Sequence, residues 1–160
     1  MKPLAMFAAA VLLFSAAARA EHFKIELTVK SAMDEPTAHA DTDPPPQGSN
    51  PRPVCHAKRG EDLTFQFFFT SNFPHETLKN VAVHYYIAPE KEAGKRDMAD
   101  PGKPMVLEGS FTMDFKPVTG RVGLRQKIHI DQPGTYIVRV ESQHSDSDHE
   151  HFAALDLVVE

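Results

Sequence analysis

Phe23-Lys24-Ile25-Glu26-Leu27-Thr28-Val29-Lys30 alternates apolar with charged or polar side chains without a break. A β-strand points successive side chains to opposite faces, so this stretch offers Phe23, Ile25, Leu27 and Val29 to one side and water-compatible groups to the other. The same period of two recurs along the chain. It carries Leu63, Phe65, Phe67 and Phe69, with Thr64 and Gln66 between them and Phe68 breaking the polar outer face. Val81, Val83, Tyr85 and Ile87 follow, then Met105, Leu107, Phe111, Met113 and Phe115, with Gly109 read as a bulge or bend. Val122, Leu124, Ile128 and Ile130 form the next set, Tyr136, Val138 and Val140 another, and Leu155, Leu157 and Val159 the last. Helical 3.6-residue stripes are missing from residue 21 onward. The expectation is an all-β, antiparallel sandwich of seven to eight strands, at about 61–71, 80–88, 104–115, 121–130, 134–143 and 151–160 after the first.

Residues 1–20 have the layout of a signal peptide, with Lys2 ahead of an apolar run from Met6 to Ala18 and Ala18-Arg19-Ala20 as a small-x-small cleavage site. Cleavage is expected after Ala20, giving a secreted or periplasmic chain. The apolar run is shorter than the ~20 residues a membrane span needs, and no cysteine stands at the cleavage point for a lipid anchor. The rest divides into an N-terminal strand (21–33), a proline-rich connector (34–53) and the sandwich (54–160). Pro36, Pro44, Pro45, Pro46, Pro51 and Pro53 give the connector a polyproline-like character that does not pair in a sheet. The first strand is therefore expected to stand apart, adding to an edge or reaching a partner.

The run Asp131-Gln132-Pro133-Gly134-Thr135-Tyr136-Ile137-Val138-Arg139-Val140 resembles the penultimate strand of bacterial secreted immunoglobulin-like domains. Arg59-Gly60-Glu61-Asp62-Leu63-Thr64-Phe65 looks like their first hairpin turn, and Leu78-Lys79-Asn80-Val81 like the lead into the following strand. The resemblance covers residues 53–160. It implies an immunoglobulin-like β-sandwich and no particular activity.

Loss of Lys2 and Arg19 takes the 17 basic residues to 15 against 22 acidic ones, so the net charge moves from −5 to −7. An acidic chain without a basic patch argues against nucleic acid and against docking on anionic lipid. The lone Cys55 makes an intrachain disulfide impossible. It is read as a small buried hydrophobe in phase with Ala57, with a metal ligand or a link between chains as alternatives.

His144-Ser145-Asp146-Ser147-Asp148-His149-Glu150-His151 packs three imidazoles and three carboxylates into eight residues. Strand phase sends His144, His149 and His151 toward the mouth of the sandwich, and residues two apart on a strand lie roughly 6–7 Å from each other. Alternating connections put the loops 72–79, 116–120 and 144–150 at one end, which brings His75 within reach. Neutral imidazole suits zinc or copper, so His144, His149, His151 and His75 form a candidate site for Zn or Cu. Cupredoxins and copper/zinc superoxide dismutases are similar in building metal sites on sandwiches. This chain lacks the Cys…His…Met copper loop of the former and the second cysteine of the latter's disulfide. Ser-Asp-Ser-Asp is equally good turn chemistry, which leaves a solvated loop open. His22, His84 and His129 are read as surface residues, and His56 lies on the face opposite Cys55.

No nucleophile elbow, phosphate-cradling glycine loop or His-Glu-x-x-His helix is present, and the chain has no Trp as a sugar platform. The reading is therefore non-catalytic: a binding or interaction module for another envelope or extracellular protein. Phe68, Phe73, Tyr86 and Phe152 are its candidate outward aromatics. A zinc- or copper-binding protein built on the histidine loop is the alternative.

Overall fold

The structure, a computed structural model, describes residues 23–42, 51–71, 77–94, 104–116, 122–143 and 150–160. Ten strands are defined in them: β1 (Phe23–Lys30), β2 (Thr37–His39), β3 (Asp41–Thr42), β4 (Val54–Ala57), β5 (Leu63–Ser71), β6 (Leu78–Glu90), β7 (Leu107–Phe115), β8 (Val122–Ile128), β9 (Gly134–Gln143) and β10 (Glu150–Val159). They form two sheets. One has the order β2-β1-β5-β8; the other runs β3-β10-β9-β6-β7, with β4 also paired to β10. All pairings are antiparallel except that of β4 with β10. Strands β1, β5 and β8 take the places of A, B and E in the immunoglobulin plan, and β6, β9 and β10 those of C, F and G. The Tyr136 hydroxyl at the start of β9 donates to the Gln132 carbonyl at 2.7 Å, the corner bond such a strand carries.

Period-two patterning supplies the core. Ile25, Leu27 and Val29 from β1 and Leu63, Phe65, Phe67 and Phe69 from β5 face Val81, Val83 and Ile87 of β6, Val138 and Val140 of β9, and Leu155 and Leu157 of β10, all buried. Phe67 is the hub. Its ring lies 5.7 Å from Phe65, 5.8 Å from Phe69, 5.3 Å from Tyr85 and 6.4 Å from Phe111, the last stacked across the sandwich. Each such side chain contributes about 1.5–3 kcal/mol through burial, and the ring pairs somewhat more.

Several expectations are corrected here. The first strand does not stand apart: β1 is an interior strand, hydrogen-bonded to β5 over eight register positions and to β2 on its other side. The connector pairs where it lacks proline, because residues 37–42 form β2 and β3 and carry the chain from one sheet to the other. Gly109 makes no bulge; it pairs in register with Tyr85, whose ring lies where a Cβ would stand. The irregularity falls between Leu78 and Val81, where Asn80 adopts φ 55°, a conformation asparagine tolerates.

Tyr86 and Phe152 are outward in phase but not exposed. With Ala88, Ile137 and Ala154 they form a second buried cluster on the outer face of the larger sheet, against which Met105 packs. A charged cluster lies beside it. Arg52 Nε donates to Asp156 Oδ1 at 2.8 Å and Arg52 Nη2 to Glu90 Oε1 at 2.6 Å, while the Gly94 amide donates to Asp156 Oδ2. The Pro53 carbonyl accepts from the Asp156 amide at 2.8 Å. Arg52 thereby fastens the end of the proline-rich segment to β6 and β10.

Candidate functional site

The outer face of the smaller sheet is built differently. Among the described residues it carries no second apolar cluster. It holds instead an open groove of about 370 Å³, lined by Glu26, Thr28, Glu35, Thr37, Gln66 and Phe68. Glu26 and Thr28 come from the outward phase of β1, Gln66 and Phe68 from that of β5, and Thr37 from β2. Register sets Glu26 beside Phe68 and Thr28 beside both Gln66 and Thr37.

A tight turn fixes the wall. The Ser31 amide donates to the Asp34 carbonyl at 2.8 Å, and the Met33 and Asp34 amides donate back to Ser31 Oγ at 3.1 and 2.8 Å. This is the local backbone chemistry serine favours in turns. Asp34 Oδ2 accepts from the His56 amide at 2.8 Å and Glu61 Oε1 from the Ala32 amide at 3.1 Å, tying the turn to β4 and to the 58–62 connection. Thr28 Oγ1 and Thr37 Oγ1 share a hydrogen bond of 3.0 Å across the floor. Lys24 lies 3.5 Å from Glu26 and Lys30 2.5 Å from Glu35, so both carboxylates meet cations at the rim, in exposed pairs worth little in stability. The groove thus offers two carboxylates, two hydroxyls and an amide around one half-buried phenyl ring.

The histidine prediction meets the structure at a single residue. His144, His149 and His75 lie outside the described residues. His151 is on β10, opposite Ser142 of β9 and Thr42 of β3, and is 7% exposed. It shares the strand face of Ala153, Leu155 and Leu157, at the end of the core where β10 begins. Among the described residues no three His, Cys, Asp or Glu side chains come together as a donor set for a metal.

Of the remaining predicted residues, His22 and Phe73 lie outside the described ones. Cys55 is fully buried in phase with Ala57. Burial pushes its thiol up to about 11, so it stays protonated and behaves as a hydrophobe. His129 is exposed, its Nδ1 3.2 Å from Asp62. His84 bridges two carboxylates on the outer face of the larger sheet, with Nδ1 2.9 Å from Glu141 Oε1 and Nε2 3.2 Å from Glu108 Oε1. Partial burial alone would lower the imidazole's pKa; the hydrogen bonds and charges of Glu141 and Glu108 outweigh it and raise it above 6.5. Arg139 lies 4.2 Å over the Phe152 ring in the same face.

Two features escape sequence reading. The groove residues look like ordinary strand polars, and only Phe68, an aromatic on a polar phase, marks them. The Arg52–Asp156–Glu90 cluster has one signal, a lone carboxylate inside the otherwise apolar run Ala153-Ala154-Leu155-Asp156-Leu157-Val158-Val159.

What fold and site define together is an immunoglobulin-like β-sandwich in which, among the described residues, one outer face buries an apolar cluster and the other carries a groove. No family model and no curated protein matches the chain. Among solved structures it is similar to the crystal structure of a chitin binding domain from Burkholderia pseudomallei, at 11% identity and a TM-score of 0.38. That likeness covers 66% of this chain and spans 56% of the other. None of the described residues forms a helix long and apolar enough to cross a membrane.

Proposed function

We propose that this chain is a secreted or periplasmic, non-catalytic binding module that takes a basic segment of another envelope or extracellular protein in the groove around Phe68. The observation behind this reading is the contrast between the two outer faces. The larger sheet buries its outward aromatics, Tyr86 and Phe152, whereas the smaller leaves Phe68 half-buried among Glu26, Glu35, Gln66 and two threonines. A phenyl face beside carboxylates suits a lysine or arginine, which gains charge pairing and a cation–π contact together. The net charge of −7 for the chain from Glu21 (15 basic against 22 acidic residues) favours the same class of partner.

The test is affinity capture from the source cell's envelope with the chain beginning at Glu21, compared with Phe68→Ala and with Glu26→Gln plus Glu35→Gln. The reading expects a basic protein retained by the wild type, released as salt is raised and lost by both variants with folding intact. Retention indifferent to all three substitutions would remove the groove from the function.

A second reading, zinc or copper held by His144, His149, His151 and His75, is favoured by the burial of His151 at the core's end beside Ser142. Titration of the metal-free protein with Zn²⁺ and Cu²⁺ tests it. One ion per chain, lost on His149→Ala plus His151→Ala, would establish that site; binding that ignores those histidines would dismiss it.

A further inference from the structure

Strands β7 and β8 follow one another in the chain but end up as the outer edges of opposite sheets. Among the described residues neither pairs with the other or with a further strand on its outer side, so both present edge backbone donors and acceptors along the same side of the sandwich. The opposite side is closed, because β2 and β3 step from one sheet to the other there. Between the two free edges the core is only partly covered. Leu107, Phe111 and Met113 of β7 and Val122, Leu124 and Ile128 of β8 pack against it yet remain half-exposed.

The two edges are complementary. Outward residues of β7 include Glu108 and Asp114; those of β8 are Gly123, Arg125 and Lys127, all exposed. In an antiparallel pairing, apolar face must meet apolar face, which eliminates every second register. Of the two remaining registers that engage all seven residues of β8, one sets Glu108 opposite Lys127. It also sets Ser110 opposite Arg125 and Thr112 opposite Gly123. On the inner face it matches Leu107 with Ile128, Phe111 with Leu124 and Met113 with Val122. The other places Ser110 opposite Lys127 and Asp114 opposite Gly123, and forms no charge pair.

We infer that this side is the interface of a homodimer, in which β7 of each copy pairs with β8 of the other in the Glu108–Lys127 register. Strand directions allow it: β7 and β8 run oppositely, so a two-fold axis parallel to the strands sets each β7 antiparallel to its partner's β8. The contact is isologous and closes at two copies. Each sheet continues into the opposite sheet of the second copy, all four edge ladders are satisfied, and the two half-exposed apolar rows cover each other. The groove around Phe68 takes no part in the pairing, so the dimer would carry two.

The test uses the chain from Glu21 and sedimentation over a range of concentrations. A dimer is expected, weakened on the order of tenfold by Lys127→Glu, which reverses two cross-strand charge pairs per dimer, and restored when Glu108→Lys is added. Register is read by mixing a Ser110→Cys chain with an Arg125→Cys chain under oxidation. A covalent heterodimer is expected, and little or none when Thr112→Cys, which the other register sets opposite Arg125, replaces Ser110→Cys. Circular dichroism and thermal melts establish that each variant is folded. A chain that stays monomeric at millimolar concentration overturns the inference. So does a dimer that survives Lys127→Glu unchanged or cross-links only through Thr112→Cys.

Discussion

Replacing Arg52 by Met isolates the most deeply buried ion-pair cluster among the described residues. Side chains of Arg52, Glu90 and Asp156 are 7%, 8% and 0% exposed, and one guanidinium serves both carboxylates at 2.6 and 2.8 Å. Removing the cation leaves two buried carboxylates side by side, with the Gly94 amide still donating to Asp156. Loss of one partner from a buried ion pair costs about 3–5 kcal/mol, a large part of the ~5–15 kcal/mol that stabilises a domain. The melting temperature should fall by roughly 10–20 °C, at a few degrees per kcal/mol for a domain of this size. Asp156→Asn is the informative contrast. It removes one of two anions, leaves Arg52 balanced against Glu90 and keeps an oxygen for the Gly94 amide, so it should cost clearly less than Arg52→Met. Urea unfolding at constant m value measures both. The reasoning fails if Arg52→Met costs under about 1 kcal/mol, or if Asp156→Asn costs as much.

Other outcomes follow from the same structure. Burial, reinforced by Asp156 and opposed by Arg52, raises the Glu90 carboxyl above 4.5, so the folded state binds that proton more tightly than the unfolded one. Stability from this group is gained as pH falls through its folded pKa, and Glu90→Gln should flatten that part of a stability-versus-pH curve. The raised pKa of His84 acts with the same sign at higher pH: its stabilisation is complete below 6.5 and lost as pH rises through the folded value. His84→Gln should therefore remove a decline in stability above pH 6.5, read from melting temperatures across that range. Phe67→Ala empties the centre of the aromatic network and should cost about 3–5 kcal/mol in urea unfolding. Cys55 should react with a thiol reagent only as fast as the protein opens, and denaturant should accelerate labelling sharply.

How far the sequence is legible depends on the range of the interaction that decides each point. Strands with one buried face announce themselves, since burial demands period two; β5, β8, β9 and β10 lie within two residues of expectation. The place of β1 is not written in its own residues. Its alternation suits an edge or an interior strand equally, and only β5 and β2 on either side decide. Tyr86 and Phe152 read as exposed because they sit on the outward phase. They are buried by Met105, Arg139 and each other, contacts between segments distant in sequence. The groove was equally hidden, since its six residues come from three strands and a turn. Phe68 alone gave a local sign, an apolar ring where the pattern called for a polar group.

The measurement closest to the central claim is site-specific photo-cross-linking in the source cell. A photoreactive residue in place of Gln66, on the groove floor, is compared with one in place of exposed Lys58, outside the groove. The account predicts a discrete adduct with a basic envelope or extracellular protein from position 66, absent from position 58 and abolished by Phe68→Ala. Equal labelling from both positions, or an adduct at 66 that persists without the phenyl ring, would contradict it.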